Sequence, residues 1–162
     1  MQDVAKLLQT VSGIYSAPGN PDRWHVAMEE VCALVGARMG AYMLISAEDQ
    51  RTEGLAYCGV TDEHVQRYAG YGGPSTDIRF KYIDRLIAGK VFRDFEYVPS
   101  REEYDASPWI QYQFETTGTY WCMTALISTH RLWNDFISVN RLKRLGPTPT
   151  RRSSTCRTCS PI

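Results

Sequence analysis

The stretch Thr119–Thr129, TYWCMTALIST, restricts the fold of this chain more than any other segment. In an extended strand Tyr120, Cys122, Thr124 and Leu126 share one face, and Trp121, Met123, Ala125 and Ile127 share the other. Both faces are rich in apolar and β-forming residues, so a strand built from them has to be covered on both sides. The pattern predicts a central strand with helices on one side and something else, a partner or a ligand, on the other. His130–Leu132 then turns the chain, and Trp133–Asn140 pairs back as the next strand.

Upstream the apolar period changes to three and four residues. Val4, Leu7, Leu8, Val11, Ile14 and Tyr15 predict an amphipathic helix over Asp3–Tyr15 that buries this stripe. Asn20-Pro21-Asp22 is a helix start: Asn caps, Pro occupies the first turn, and Asp meets the positive end of the dipole. Trp24, Ala27, Met28, Val31, Cys32 and Val35 form the inner face of that second helix, which stops at Gly36. Ala41–Ala47 and Gly54–Val60 read as a hairpin around a charged turn. Thr61 caps a third helix, and Ser75 or Thr76 caps a fourth that runs to Ala88 with Ile78, Tyr82, Leu86 and Ile87 inward. Val91–Val98 reads as extended, Ser100-Arg-Glu-Glu103 as a capping box, and Pro108 as a break before a last helix over Trp109–Thr116. The order of elements predicts an α+β domain, an antiparallel sheet flanked by helices, of the type used for small-molecule sensing.

Charge narrows the partners. The chain of 162 residues carries 18 Lys+Arg and 18 Asp+Glu, interspersed over residues 1–140, so the clustered cations that neutralise nucleic-acid phosphates are not present there. This chain is therefore not expected to bind DNA itself. No apolar run approaches the roughly 18 residues that span a bilayer, and the N-terminus lacks the basic start and long apolar stretch of a signal peptide. With Cys32, Cys58 and Cys122 scattered singly, the expectation is a cytoplasmic protein with reduced thiols and no membrane partner.

No catalytic constellation, metal site or cofactor motif is expected. His25, His64 and His130 have no partner at a fixed ligand spacing and read as solvated or capping residues. Cys156-x-x-Cys159 lacks two further ligands, the Gly70–Gly73 run lacks the Lys and Ser/Thr of a phosphate loop, and Glu29-Glu30 and Glu102-Glu103 point apart on helices. The aromatic residues carry more information, because Tyr68, Tyr71, Tyr82, Phe95, Tyr104, Trp109, Tyr112, Tyr120 and Trp121 fall in the half of the chain that follows the first hairpin. They suit an ordinary aromatic core or a small-molecule pocket, whose floor would hold Tyr120 and Cys122 or Trp121 and Met123 according to register.

The run from Trp24 through ALVGARMGAYMLIS, then DEHVQRYAGY, then AGKVFRDFEYVPSREEYDASPWIQYQFETTG, resembles the GAF/PAS-like N-terminal sensory domain of LuxR-type transcriptional regulators. The likeness spans Asn20 to Arg141, and its most specific part is Gly89-Lys-Val-Phe, Asp94, Val98-Pro-Ser-Arg-Glu-Glu-Tyr and Ser107-Pro-Trp. It implies a GAF/PAS-like fold, a regulatory rather than enzymatic role, a small apolar or aromatic ligand and a homodimer. It also points to Asp77 as a ligand contact, with the departure that Ile78 stands where the family commonly has Pro after the Asp. A stand-alone GAF/PAS-like binding protein and an acyl-homoserine-lactone receptor domain are the neighbouring readings.

The sensory domain is expected to end at residue 145, because 146–162, GPTPTRRSSTCRTCSPI, has neither an apolar face nor β-alternation. Read one base earlier, the codons permit a string with Gly-Pro-Tyr-Thr-Asp followed by acids and then leucines. That is a helix start, and it is similar to the end of the LuxR-type sensory domain. The expectation is an unstructured, out-of-frame tail that replaces a closing helix and leaves the DNA-binding helix-turn-helix absent. Resequencing the coding DNA checks it: the alternative frame should stay open and encode a helix-turn-helix, and an immediate run of stop codons would refute the frameshift.

Overall fold

A computed structural model of the chain describes residues 2–49 and 51–147. Two helices, α1 (Gln2–Ser16) and α2 (Pro21–Val35), precede a hairpin of β1 (Met39–Ser46) and β2 (Thr52–Cys58). α3 (Asp62–Gly70) is followed by a 3-10 turn at Gly73–Ser75, the single turn α4 (Ile78–Lys81) and a second 3-10 turn at Ile83–Arg85. β3 (Lys90–Arg93), α5 (Asp94–Tyr97), α6 (Arg101–Ala106) and α7 (Pro108–Thr117) then lead to β4 (Thr119–Thr129) and β5 (Trp133–Leu142). The strands form one antiparallel sheet in the order β2-β1-β5-β4-β3, the α+β plan expected from the sequence. The residues read as the tail lie outside the described part from Thr148 onward.

Local chemistry starts the helices where it was expected to. The Asn20 side chain accepts the backbone N–H of Arg23 with Pro21 in the first turn, Thr61 accepts that of His64, and Ser100 that of Glu103. Each supplies an acceptor to one of the N–H groups that a helix start leaves unpaired.

α2 covers one face of the sheet. Met28 and Cys32 pack there with Ala56 of β2 and Val139 of β5. The close approach depends on Gly40, where a Cβ would lie 2.6 Å from Cys32 Sγ and 3.0 Å from Met28 Cε. The opposite face carries the larger core, in which Ile45, Leu126 and Phe136 of the strands meet Ile78, Tyr97, Tyr104, Trp109 and Ile110 of the helices. β4 is thus not the middle strand. β5 is, and helices stand on both faces: α2 lies against β1 and β2, and on the second face of β4 Met123 packs against the same cluster while Ile127 stays exposed.

Three local expectations change. The stripe of α1 is not buried: Val4 is 56%, Leu8 63% and Tyr15 83% exposed, and Leu7 and Val11 are exposed as well. α2 spends its apolar face on the sheet and offers α1 its polar back, so α1 buries Thr10 and bonds Gln9 to Glu30, and Ala17 just after it is buried. The helix expected over Ser75–Ala88 is broken into α4 and a 3-10 turn, with Asp77 rather than Ser75 or Thr76 as its cap and with Ile87 exposed. The extended segment expected over Val91–Val98 closes after Arg93 into α5, because the Glu96 side chain reaches back to the N–H of Arg93.

Gly40→Ala should lower stability by about 1–3 kcal/mol, since α2 has to move off the sheet to admit the methyl group. Gly70→Ala, where a Cβ meets nothing within 4 Å, should leave stability unchanged or slightly raised. Urea denaturation of both variants checks the contrast.

Candidate ligand-binding cavity

Between the second sheet face and the helices above it lies a cavity of about 560 Å³. That volume is within the range of small-molecule sites. Its floor is the sheet: Ala41 and Met43 of β1, Phe136, Ser138 and Asn140 of β5, and Thr124 of β4. α3 brings His64 and Tyr68, four residues apart on one helical face, and α7 brings Trp109 and Gln113 with the same spacing. Phe80, Ile83 and Leu86, from α4 and the turn after it, close the far wall.

Four of the aromatic residues singled out in the sequence meet at the α3–α7 seam. The rings of Tyr68 and Trp109 are 4.7 Å apart, those of Trp109 and Tyr112 5.5 Å, and those of Tyr71 and Tyr112 5.6 Å. Such tilted pairs contribute beyond their buried area. Tyr68 and Trp109 line the cavity, whereas Tyr71 and Tyr112 back them from outside.

Asp77 sits directly behind this wall, with its carboxylate fully buried. It accepts the backbone N–H of Arg79 at 3.0 Å and takes the Arg79 guanidinium as a fork, Nε to Oδ1 at 2.9 Å and Nη2 to Oδ2 at 2.5 Å. The Tyr68 hydroxyl donates to Oδ2 at 3.3 Å, and Arg79 Nη1 donates to Asn140 Oδ1 at 3.2 Å. Burial works against the charge on Arg79, but its attraction to Asp77 outweighs that penalty and holds the guanidinium firmly protonated. Burial, then the Asp77 charge, pushes the Tyr68 phenol well up, so it stays a donor.

The remaining sequence candidates lie elsewhere. Tyr82 donates to Glu103 on the outer side of α4, at 2.7 Å, and does not line the cavity. Tyr120 shares the cavity's face of β4, but its hydroxyl goes to Asp105 and its ring lies under Arg101 and Lys143 at 4.2 and 4.3 Å. Cys122 is buried beside Thr124, with its thiol pushed up by burial, and its backbone N–H goes to Asp94 Oδ2 at 3.2 Å. The strand residue that reaches the floor is Thr124, one pair further along than either alternative foreseen. Arg79, Asn140, Gln113 and His64 were not foreseen as a site. Arg79 and Asn140 are 61 positions apart, and only their hydrogen bond joins them. The His64 backbone N–H is capped by Thr61, its ring Nδ1 lies 2.7 Å from the same hydroxyl, and the residue also lines the cavity.

Around the cavity burial keeps the Tyr68 and Tyr97 phenols protonated, the Asp77–Arg79 pair is internally neutralised, and burial holds the Cys122 thiol away from the thiolate. Among the described residues no group of three His, Cys, Asp or Glu could hold a metal ion. Asp77→Ala should cost about 3–5 kcal/mol, because it strands a buried guanidinium, and Asp77→Asn clearly less. Equilibrium urea unfolding distinguishes the two.

The fold has solved counterparts. The VqsR LBD domain of Pseudomonas aeruginosa matches with a TM-score of 0.64 at 12% identity, over 83% of this chain and 79% of that one. CepR2 of Burkholderia cenocepacia, an N-acylhomoserine lactone dependent LuxR family transcription factor, matches with a TM-score of 0.59 at 16% identity, over 86% and 78%. The GAF domain of a phosphoenolpyruvate-protein phosphotransferase (ptsP) of Coxiella burnetii gives 0.58 at 11% identity, over 86% and 77%. No family model and no curated protein matches the chain. The chain thus has the GAF-like α+β fold that a LuxR family transcription factor and a GAF domain share, as the sequence resemblance implied.

Proposed function

We propose that this chain is the ligand-sensing and dimerisation domain of a LuxR-type transcriptional regulator, acting in the cytoplasm and without catalytic activity. The observation that carries the reading is the 560 Å³ cavity, largely aromatic and aliphatic in its lining, between the sheet and α3, α4 and α7. Its occupant is a small apolar or aromatic molecule, and Tyr68, Trp109, Arg79 and Asn140 are the residues assigned to contact it. Among the described residues no helix is long and apolar enough to cross a membrane, in keeping with this reading.

The dimer is assigned to α1. Its row of Val4, Leu7, Leu8 and Val11 is exposed along a helix otherwise seated on α2, and a second copy of the chain would cover it. A stand-alone binding protein would share the cavity and differ only in lacking a DNA-binding partner domain.

Native mass spectrometry of the purified full chain tests both halves. The expected spectrum is a dimer carrying a small copurified molecule that is lost on denaturation. Leu8→Glu should give a monomer that keeps the adduct. An empty monomer for the unmodified chain would overturn the proposal.

A further inference from the structure

Two of the cysteines that the sequence scatters singly are brought together by the fold. Cys32 lies in the last turn of α2, and Cys58 is the last residue of β2, an edge strand of the sheet. Gly40 of β1 joins the two positions. It is paired directly with Cys58, so the Cys58 side chain and the place of a Gly40 Cβ share one sheet face, about 5 Å apart. Cys32 Sγ fills that place, 2.6 Å from where the Cβ would be. The missing side chain of Gly40 is what lets the α2 thiol descend onto the sheet beside Cys58. Both cysteines pack with Met28, Ala56 and Val139, Cys32 buried among them and Cys58 half-buried against them.

The backbone holds Cys58 there. Gly59, which follows it, turns at φ +62°, and a Cβ on it would lie 2.3 Å from the carbonyl oxygen of Arg38, the residue before β1. Cys122, the remaining cysteine among the described residues, is buried on the opposite sheet face beside Thr124, away from this pair. The two neighbouring thiols differ in character. Burial, and then Cys58 itself, pushes the Cys32 thiol well up, so it stays protonated. Cys58 is the member of the pair that a small oxidant in solution can reach, and its buried neighbour is already in place behind it.

We propose that Cys58 and Cys32 are a redox-sensitive pair, in which hydrogen peroxide oxidises Cys58 and Cys32 resolves the product to a disulfide that fastens α2 to the edge strand β2. In the first step the Cys58 thiolate attacks peroxide: an S–O bond forms, the O–O bond breaks, and the departing hydroxide takes up the proton that Cys58 lost and leaves as water. In the second step the Cys32 sulfur attacks the sulfur of the Cys58 sulfenic acid. The S–S bond forms, the S–O bond breaks, and the released hydroxide carries off the Cys32 proton as a second water. Two thiols are oxidised and one peroxide is reduced. The loop so closed contains β1 and most of β2, so the disulfide restricts the unfolded chain and stabilises the fold. The proposal is independent of the sensing role.

The five cysteines fall in five different tryptic peptides, Cys32 in 24–38 and Cys58 in 52–67, so peptide mapping reads the pairing directly. The full chain is reduced, freed of reductant, treated with hydrogen peroxide in its folded state, blocked with N-ethylmaleimide and digested. Peptides 24–38 and 52–67 should appear joined, and dithiothreitol should separate them. The oxidised chain should melt about 5–10 °C above the reduced one. Cys58→Ser, a small change at a half-buried position, should leave Cys32 a free thiol under the same treatment. Cys32→Ser should stop Cys58 at the sulfenic acid, which dimedone captures. If Cys32→Ser does not fold, the map of the unmodified chain still decides.

Cys58 carried to sulfinic or sulfonic acid while Cys32 remains a thiol would overturn the proposal. So would a disulfide from Cys58 to any other cysteine or to a second chain, or thiols left intact by peroxide sufficient to oxidise free cysteine. A Cys32–Cys58 disulfide that does not raise Tm would overturn the fastening of α2.

Discussion

The buried pair of Asp77 and Arg79 is the interaction around which the second layer of the molecule is arranged. Asp77 caps α4 and so ends the loop that follows α3, and the same carboxylate takes the Arg79 fork and the Tyr68 hydroxyl. Arg79 in turn reaches Asn140 on β5. One neutral pair thereby ties α3, α4 and the middle strand together at fixed distances, and the space these elements enclose is the cavity. A pair so placed has to be fully hydrogen-bonded to be tolerable, because the penalty for removing both charges from water is offset only when the geometry is good on every side. The Arg79 backbone N–H, the Tyr68 hydroxyl and the Asn140 side chain around it meet that condition.

A second buried acid does comparable work on the other flank. Asp94 is fully buried at the start of α5, where it accepts the N–H of Phe95 at 2.8 Å and that of Cys122 on β4 at 3.2 Å. Burial raises its pKa above the ordinary value, against the stabilising pull of these two N–H groups. With Tyr104 donating to the Tyr120 carbonyl at 2.8 Å, this arrangement locks α5 and α6 onto β4. Much of the segment that most resembled a known family, Gly89 to Trp109, thus fastens the helical layer to the sheet. The aromatic residues beyond it, Tyr120 and Trp121 under Arg101, belong to that fastening rather than to the cavity.

Much of the fold was legible because the signals are local. The caps at Asn20, Thr61 and Ser100, the break at Pro108 and the alternation of Thr119–Thr129 depend on residues within one turn or one strand of each other. Expectations failed where the outcome depends on a partner from elsewhere in the chain. The α1 stripe has a helical period, but whether it is buried depends on what α2 has left to offer, and α2 has turned its apolar face to the sheet. At the cavity wall, Tyr68 and Trp109, with Tyr71 and Tyr112 behind them, could be named by residue type and region. Tyr82 and Tyr120 have the same chemistry, yet they are drawn away by Glu103 and Asp105, acids on α6 with which no local spacing connects them.

The sequence alone therefore determined the class of fold, most of the order of its elements and the aromatic character of one wall. Those follow from periodicity, capping and composition, which act over a few residues. Only the tertiary structure decided that Asp77 would be spent on Arg79, that Thr124 rather than Cys122 would reach the floor, and that Trp109 would be left with an unpaired N–H. Satisfaction of a buried polar group is a property of everything packed around it, and the groups that meet here come from residues as far apart as 79 and 140.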